Sequence, residues 1–158
     1  MGSRVRRKRR KKKKRKKRKK EKNHVCAQHH FLRYVRNLAG EIAAEYLKRK
    51  AAKQDFSDLI RIVDVIVPFN IRHNAGHEAV DLLMETDCIE KISQYLDSEN
   101  YERVVNYLLG CATYLTEPDD QNMLKLAFSV LQKFGAVTRQ MSVALRLRDA
   151  ALIKVNVF

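Results

Sequence analysis

Val65-Ile66-Val67-Pro68-Phe69-Asn70-Ile71-Arg72-His73-Asn74-Ala75-Gly76-His77-Glu78-Ala79-Val80-Asp81-Leu82-Leu83-Met84-Glu85-Thr86-Asp87 sets two apolar helical patterns on either side of a short polar break. Upstream, Phe56, Leu59, Ile60, Val63, Ile66 and Val67 recur at three- and four-residue spacing and draw one stripe along a helix. Pro68 has no backbone N–H to donate, so the expectation is that this helix ends or kinks there. Asn74 is placed to cap a second helix through its side-chain oxygen, with Glu78 near the positive helix start and Ala75, Ala79, Leu82 and Leu83 on its buried face. Pro68, Asn70, His73, Asn74 and His77 are therefore the candidate structural elbow between two helices.

The helical period continues outward on both sides. Phe31, Val35, Leu38, Ile42 and Tyr46 stripe a helix over about residues 25–50. Residues 51–55 then turn the chain, Asp55 or Ser57 can cap the next start, and the two long helices should pack antiparallel. Downstream come helices over about 75–86, 88–96 and 99–115, the last with Val104, Val105, Leu108 and Leu109 inward and Glu99 and Glu102 in its first turn. Glu117-Pro118-Asp119-Asp120 reads as turn and cap. A further helix carries Met123, Ala127, Val130, Leu131 and Phe134 to a stop at Gly135, with Lys133 near its negative end, and another begins near Thr138. No strand-period alternation competes. The fold class is all-α, as antiparallel helix pairs stacked into an α-solenoid slice of the HEAT or tetratricopeptide kind, although no repeated signature runs across the pairs.

Charge divides the chain into two domains, a basic low-complexity tail at 1–22 and a helical body at 23–158. Of 33 Lys and Arg residues, 17 lie in residues 4–22 beside a single acid, Glu21, leaving 16 basic and 17 acidic residues from Asn23 onward. The formal +15 belongs to the tail. With Val5 the one apolar residue within 4–22, the tail is expected to be disordered. Arg6, Arg7, Lys8, Arg9, Arg10, Lys11, Lys12, Lys13, Lys14 and Arg15 form a candidate nuclear-targeting run. The same run offers non-specific, salt-dependent attraction to nucleic acid, and the bland alternative is a solvated tail or an upstream stretch that a gene model has wrongly included. No aromatic residue interrupts it to stack on bases.

Cys26, Cys88 and Cys111 are odd in number and widely spaced, which favours a reduced compartment over a disulfide scaffold. The basic N-terminus lacks the apolar core of a signal peptide, and no apolar run is long enough to span a membrane, so the reading is a soluble intracellular chain without a membrane partner. His73 and His77 stand four apart but satisfy neither the HExxH nor the HxxEH order. Cys26, His29 and His30 cluster weakly at the tail junction, and Cys88 and Cys111 sit in apolar helical contexts with no base beside them in sequence. Glu117, Asp119 and Asp120 do capping work. No phosphate loop, nucleophile elbow or kinase signature is present. The expectation is no catalytic residue, no cofactor and no metal. Met123, Phe128, Phe134, Tyr95, Tyr101, Tyr107 and Tyr114 are read mostly as core. Leu152-Ile153-Lys154-Val155-Asn156-Val157-Phe158 prolongs an apolar pattern without a stop, so the body is expected to be truncated at its C-terminal end, marginally stable and self-associating when isolated.

Several segments together resemble one family. Ile66 to Asn70, His73 to Ala75, His77 to Ala79 and Asp81 to Glu85 are similar to the N-terminal region of the proteasome non-ATPase regulatory subunit 2 family, the large scaffold of the 26S regulatory-particle base. Tyr107-Leu108, Cys111, Tyr114, Glu117 to Asp120, Phe128, Lys133-Phe134, Ala144 to Leu147 and Asp149 continue the resemblance in order, over roughly residues 31–151. Gly76 stands where that family more usually carries an acid, a change of small consequence for helix propensity in a first turn. The resemblance implies a non-catalytic scaffold supporting ubiquitin-dependent degradation, found in cytoplasm and nucleus. Its partners would be other regulatory-particle subunits, the ATPase ring and the remainder of the scaffold. It also implies that the family's receptor-docking toroid lies outside this chain. The alternative is a small nuclear adaptor with a basic nucleic-acid-binding or import tail and a helical protein-binding body.

Overall fold

The computed structural model describes residues 31–149, 152 and 153. The nuclear-targeting run, Cys26, His29, His30 and all but two residues of the Leu152–Phe158 pattern lie outside the described residues. The chain divides into two units, Met1–Glu41 and Ile42–Phe158. In the first, residues 31–41 are helical, with Phe31 and Tyr34 exposed. They belong to α1, residues 31–51, whose second part opens the other unit.

The second unit continues with α2 (Ser57–Arg72), α3 (Gly76–Glu85), a 3-10 turn (Ile89–Lys91) running into the short α4 (Ile92–Tyr95), α5 (Tyr101–Cys111), α6 (Asp119–Lys133) and α7 (Val137–Leu147). Among the described residues there is no strand, and the fold is all-α. Helices pack largely in chain order: α2 on α3, α3 on α5, α5 on α6 and α6 on α7, with α4 against α2 and α3. Val63 and Val67 of α2, Leu82 and Leu83 of α3, Val105 and Leu108 of α5 and Leu131 of α6 are essentially removed from solvent. These are residues at the apolar spacing that defines each helix in the sequence.

Pro68 does not end α2, which continues to Arg72. A proline inside a helix costs about 3 kcal/mol. Beyond it Ile71 is buried, worth roughly 1.5–3 kcal/mol, and a complete helix terminator follows, so the extended helix is favoured over a break at the proline.

That terminator recurs. Lys53, Asn74, Asp87 and Gly135 all have left-handed backbones, with φ of 54°, 61°, 53° and 69°. At each, the next residue's N–H returns to a carbonyl five residues back: Gln54 to Arg49 at 2.9 Å, Ala75 to Asn70 at 2.8 Å, Cys88 to Leu83 at 2.8 Å and Ala136 to Leu131 at 3.0 Å. The left-handed residue's own N–H bonds three back, to Lys50, Ile71, Met84 and Gln132. This is the Schellman arrangement, which satisfies the carbonyls that a helix end leaves open. Gly135 was legible as a stop, whereas the other three positions carry side chains.

Helix starts rely on neighbouring side chains. Asp55 Oδ1 accepts the Ser57 N–H at 3.0 Å, as its position before α2 suggested. Ahead of α5, Asp97 Oδ1 accepts the N–H groups of Glu99 and Asn100 at 2.9 and 3.1 Å, while Asn100 Oδ1 accepts the Asp97 N–H at 3.0 Å. That reciprocal capping box explains why the chain turns there.

Candidate functional site

The end of α2, the start of α3 and the start of α5 meet at the candidate elbow. Asn74 does not cap α3, whose first turn has no side-chain cap. With a left-handed backbone it terminates α2 instead, and its Oδ1 accepts a hydrogen bond from Arg103 Nη1 of α5. Asparagine tolerates this conformation better than most side chains, and here its amide also spans to the neighbouring helix. His73 donates through Nδ1 to the Phe69 carbonyl at 2.8 Å, and its ring stacks on that of Phe69 at 4.0 Å. The carbonyl can only accept, so the proton is on Nδ1.

His77 lies across the joint, at the start of α3. Its Nε2 is 2.8 Å from Glu78 Oε2, and its ring meets Tyr107 edge-on at 6.1 Å. The two histidines thus serve different partners. Asn70 is buried, its carbonyl closing the α2 terminator, while its Nδ2 has no hydrogen-bond partner. A buried amide N–H left so costs about 1–3 kcal/mol. Pro68 is half-buried in the last turns of α2 and takes no part in the turn itself.

A cleft of about 220 Å³ opens here, lined by Ile71, Asn74, Gly76, His77, Arg103 and Tyr107 among others. Gly76 sets how closely α5 approaches. A Cβ on Gly76 would stand 2.9 Å from Val104 Cγ2, and Val104 is buried and β-branched, with little freedom to yield. Helix propensity treats this position as nearly neutral, so what matters there is packing.

Around the joint, acids on apolar helices reach across to hydroxyls and cations. Tyr107 donates to Asp81 Oδ1 at 2.7 Å, and this bond, with burial, raises the phenol well above its ordinary range. Asp64 accepts Lys91 Nζ at 2.7 and 3.0 Å and the Tyr95 hydroxyl at 3.2 Å, tying α2 to the 3-10 turn and α4. The Asp64 bond raises the Lys91 ammonium. Asp87 accepts the Tyr46 hydroxyl at 3.1 Å and also pairs with Lys50, which holds its carboxyl below the usual range. Arg49 grips both oxygens of Asp58 at 2.8 and 3.0 Å and Glu45 at 2.8 Å. Of these only Glu45–Arg49 follows a spacing rule, the i,i+4 pair of a helix; the ties between elements do not. The available signal is an aspartate placed within or beside an apolar run, as Asp64 and Asp81 are.

Burial pushes the thiols of Cys88 and Cys111 up, so neither is poised as a nucleophile. Among the described residues no three His, Cys, Asp or Glu side chains converge as metal ligands would, and no helix is long and apolar enough to cross a membrane. Of the aromatic set, Phe128 is core with Met123, Tyr95, Tyr101, Tyr107 and Phe134 are half-buried, and Tyr101 stacks on Phe134 at 4.5 Å. Tyr114 is 91% exposed, because it falls in the turn after α5 and off that helix's buried stripe. The arrangement links the end of α2 and the start of α3 to α5 through Asn74–Arg103 and Tyr107–Asp81.

Comparison with known proteins places this architecture. The family described as RPN1 N-terminal domain matches residues 8–158, beyond the span of the sequence resemblance on both sides. The 26S proteasome non-ATPase regulatory subunit 2 of Dictyostelium discoideum is 43% identical over 120 residues, covering 76% of this chain and 13% of that protein. Homolog A of the same subunit in Arabidopsis thaliana is 40% identical over 121 residues, covering 77% and 14%. The 26S proteasome regulatory subunit rpn1 of Schizosaccharomyces pombe is likewise 40% identical over 121 residues, with 77% and 14% covered. The chain thus spans about one seventh of the length of these relatives.

Proposed function

The chain belongs to the RPN1 N-terminal domain family, and from that membership we propose that it acts as a non-catalytic scaffold element of the 26S proteasome regulatory particle. Its helices would stack as antiparallel pairs, the first slice of an α-solenoid, and its partners would be other regulatory-particle subunits, including the ATPase ring and the remainder of the scaffold. It would support ubiquitin-dependent degradation by position and shape. The observation that carries this reading is identity of about 40% to subunits named as non-ATPase regulatory components, over most of this chain. The interhelix ties around Asp64, Asp81 and Asp87 support it, because a positioning element needs fixed helix angles. Within that role, His73, Asn74 and His77 lock the α2–α3 joint against α5, and the Arg6–Arg15 run directs the chain to the nucleus as well as the cytoplasm.

A chimera tests the scaffold reading. In fission yeast rpn1, the matching N-terminal segment is replaced by residues 31–151 of this chain. Growth and assembled regulatory particle comparable to wild type are expected. Loss of assembly while the chimera accumulates as a soluble folded protein would overturn the reading. Deleting residues 4–20 from a fluorescently tagged full chain should reduce its nuclear fraction, and an unchanged distribution would remove the import role.

A further inference from the structure

We propose that the solvent side of α2 docks an acidic amphipathic helix of a partner protein. Leu59, Val63, Ile66 and Val67 fill the inner face of α2, yet Ile62 and Val65 remain 41% and 70% exposed. Above the first turn, where Asp58 falls within the same arc and is held by Arg49, the residues Arg61, Arg72, Val65, Phe69, Ile62 and His73 follow one another around a single arc of about 120° at about 100° per residue. Its middle is apolar and its arginines form one edge. Phe69 is half-buried and stacked on His73, which extends the apolar strip to the end of the helix.

The charges around the strip select the partner. Arg61 and Arg72 are exposed, and neither makes a hydrogen bond or ion pair among the described residues. The acids of the same helix are already engaged, Asp58 by Arg49 and Asp64 by Lys91. An apolar strip beside two unpaired guanidinium groups complements a helix with apolar residues at i, i+3 or i+4, and i+7 and carboxylates along one flank. An anionic membrane fits less well. The strip offers only three apolar side chains on a helix whose other face is held in the protein core, far less than an interfacial helix buries.

The inference goes beyond the scaffold reading and is tested separately from it. A fluorescein-labelled, helix-forming peptide of about 18 residues, with leucines at that spacing and glutamates on one flank, is titrated against the full chain at about 0.15 M salt by anisotropy. A scrambled peptide of the same composition controls for the basic tail, which attracts both equally. The amphipathic peptide should bind roughly tenfold more tightly than the scrambled one. Val65→Glu and the Arg61→Glu/Arg72→Glu pair should each erase the preference, while Leu145→Glu, at an exposed apolar site on α7, should leave it intact. Equal binding of the two peptides, or a preference that survives Val65→Glu, overturns the proposal. Pelleting with phosphatidylserine vesicles that is lost in Val65→Glu, without any peptide preference, would assign the face to membranes and overturn it equally.

Discussion

The α2–α3 joint and the α6–α7 joint close with the same backbone geometry and differ in what stands at the turn. Asn74 carries a side chain that reaches Arg103 on α5, whereas Gly135 carries none and has nothing within 4 Å of where a Cβ would lie. Beside Asn74, Gly76 brings α5 into close contact, and Asp81 and Tyr107 add a second link between α3 and α5. At the other joint α6 and α7 meet over an apolar seam that includes Val130, Leu131, Val143 and Ala144, with Arg139 reaching Asn106. One terminator thus serves two designs: at the first joint the turn residue itself reaches a third helix, and at the second that reach comes from Arg139, inside the next helix, while the turn residue bonds nothing across.

Substitutions can break this contrast. Gly76→Ala should destabilise by about 1–3 kcal/mol despite its better helix propensity, because the new methyl meets Val104. Chemical denaturation reads it, and a neutral result would mean that α5 is free to shift. Asn74→Ala should cost about 1–2 kcal/mol through its left-handed backbone and the lost Arg103 bond. Asn74→Gly should recover the backbone part alone. Gly135→Ala should cost about 1 kcal/mol, with no cross-helix component to lose. In the opposite direction, Lys53→Gly should stabilise by up to about 1 kcal/mol, since Lys53 holds a left-handed φ at an exposed turn. Each is read as a shift of denaturation midpoint at unchanged slope.

The Tyr107–Asp81 link also has a pH signature. Its phenol has a raised folded pKa, so its contribution is fully present below the ordinary tyrosine value near 10 and declines as pH rises above that value toward the folded one. Wild type should therefore lose stability above about pH 10 more steeply than Tyr107→Phe. Parallel pH profiles for the two proteins would show that the link contributes nothing.

How much of this could be read in the sequence follows from which interactions have a period. Helical spacing marked the inner faces of α2, α5 and α6 correctly, down to Val63, Leu108 and Leu131. Helix ends were harder. Gly135 announces its stop because glycine suits positive φ, whereas Lys53 adopts the same conformation with nothing in its residue type to mark it, and Asp87 with only the milder tolerance that aspartate has for it. Pro68 does not end α2 for the complementary reason: its local cost is visible in sequence, but the burial that outweighs it is tertiary. At the elbow the residues stood out and their roles did not, since Asn74 terminates the preceding helix, and its amide bonds a residue 29 positions away.

The central claim, that this chain is a positioning element of the regulatory particle, is tested most directly by sedimentation. Tagged full chain is expressed in cells and the lysate is resolved on a glycerol gradient, with regulatory-particle subunits followed in the same fractions. The account expects the chain to co-migrate with those subunits and to leave their fractions when Gly76→Val opens the α2–α3–α5 joint. A chain that stays at the top of the gradient as a folded free protein, with the subunits elsewhere, would contradict it.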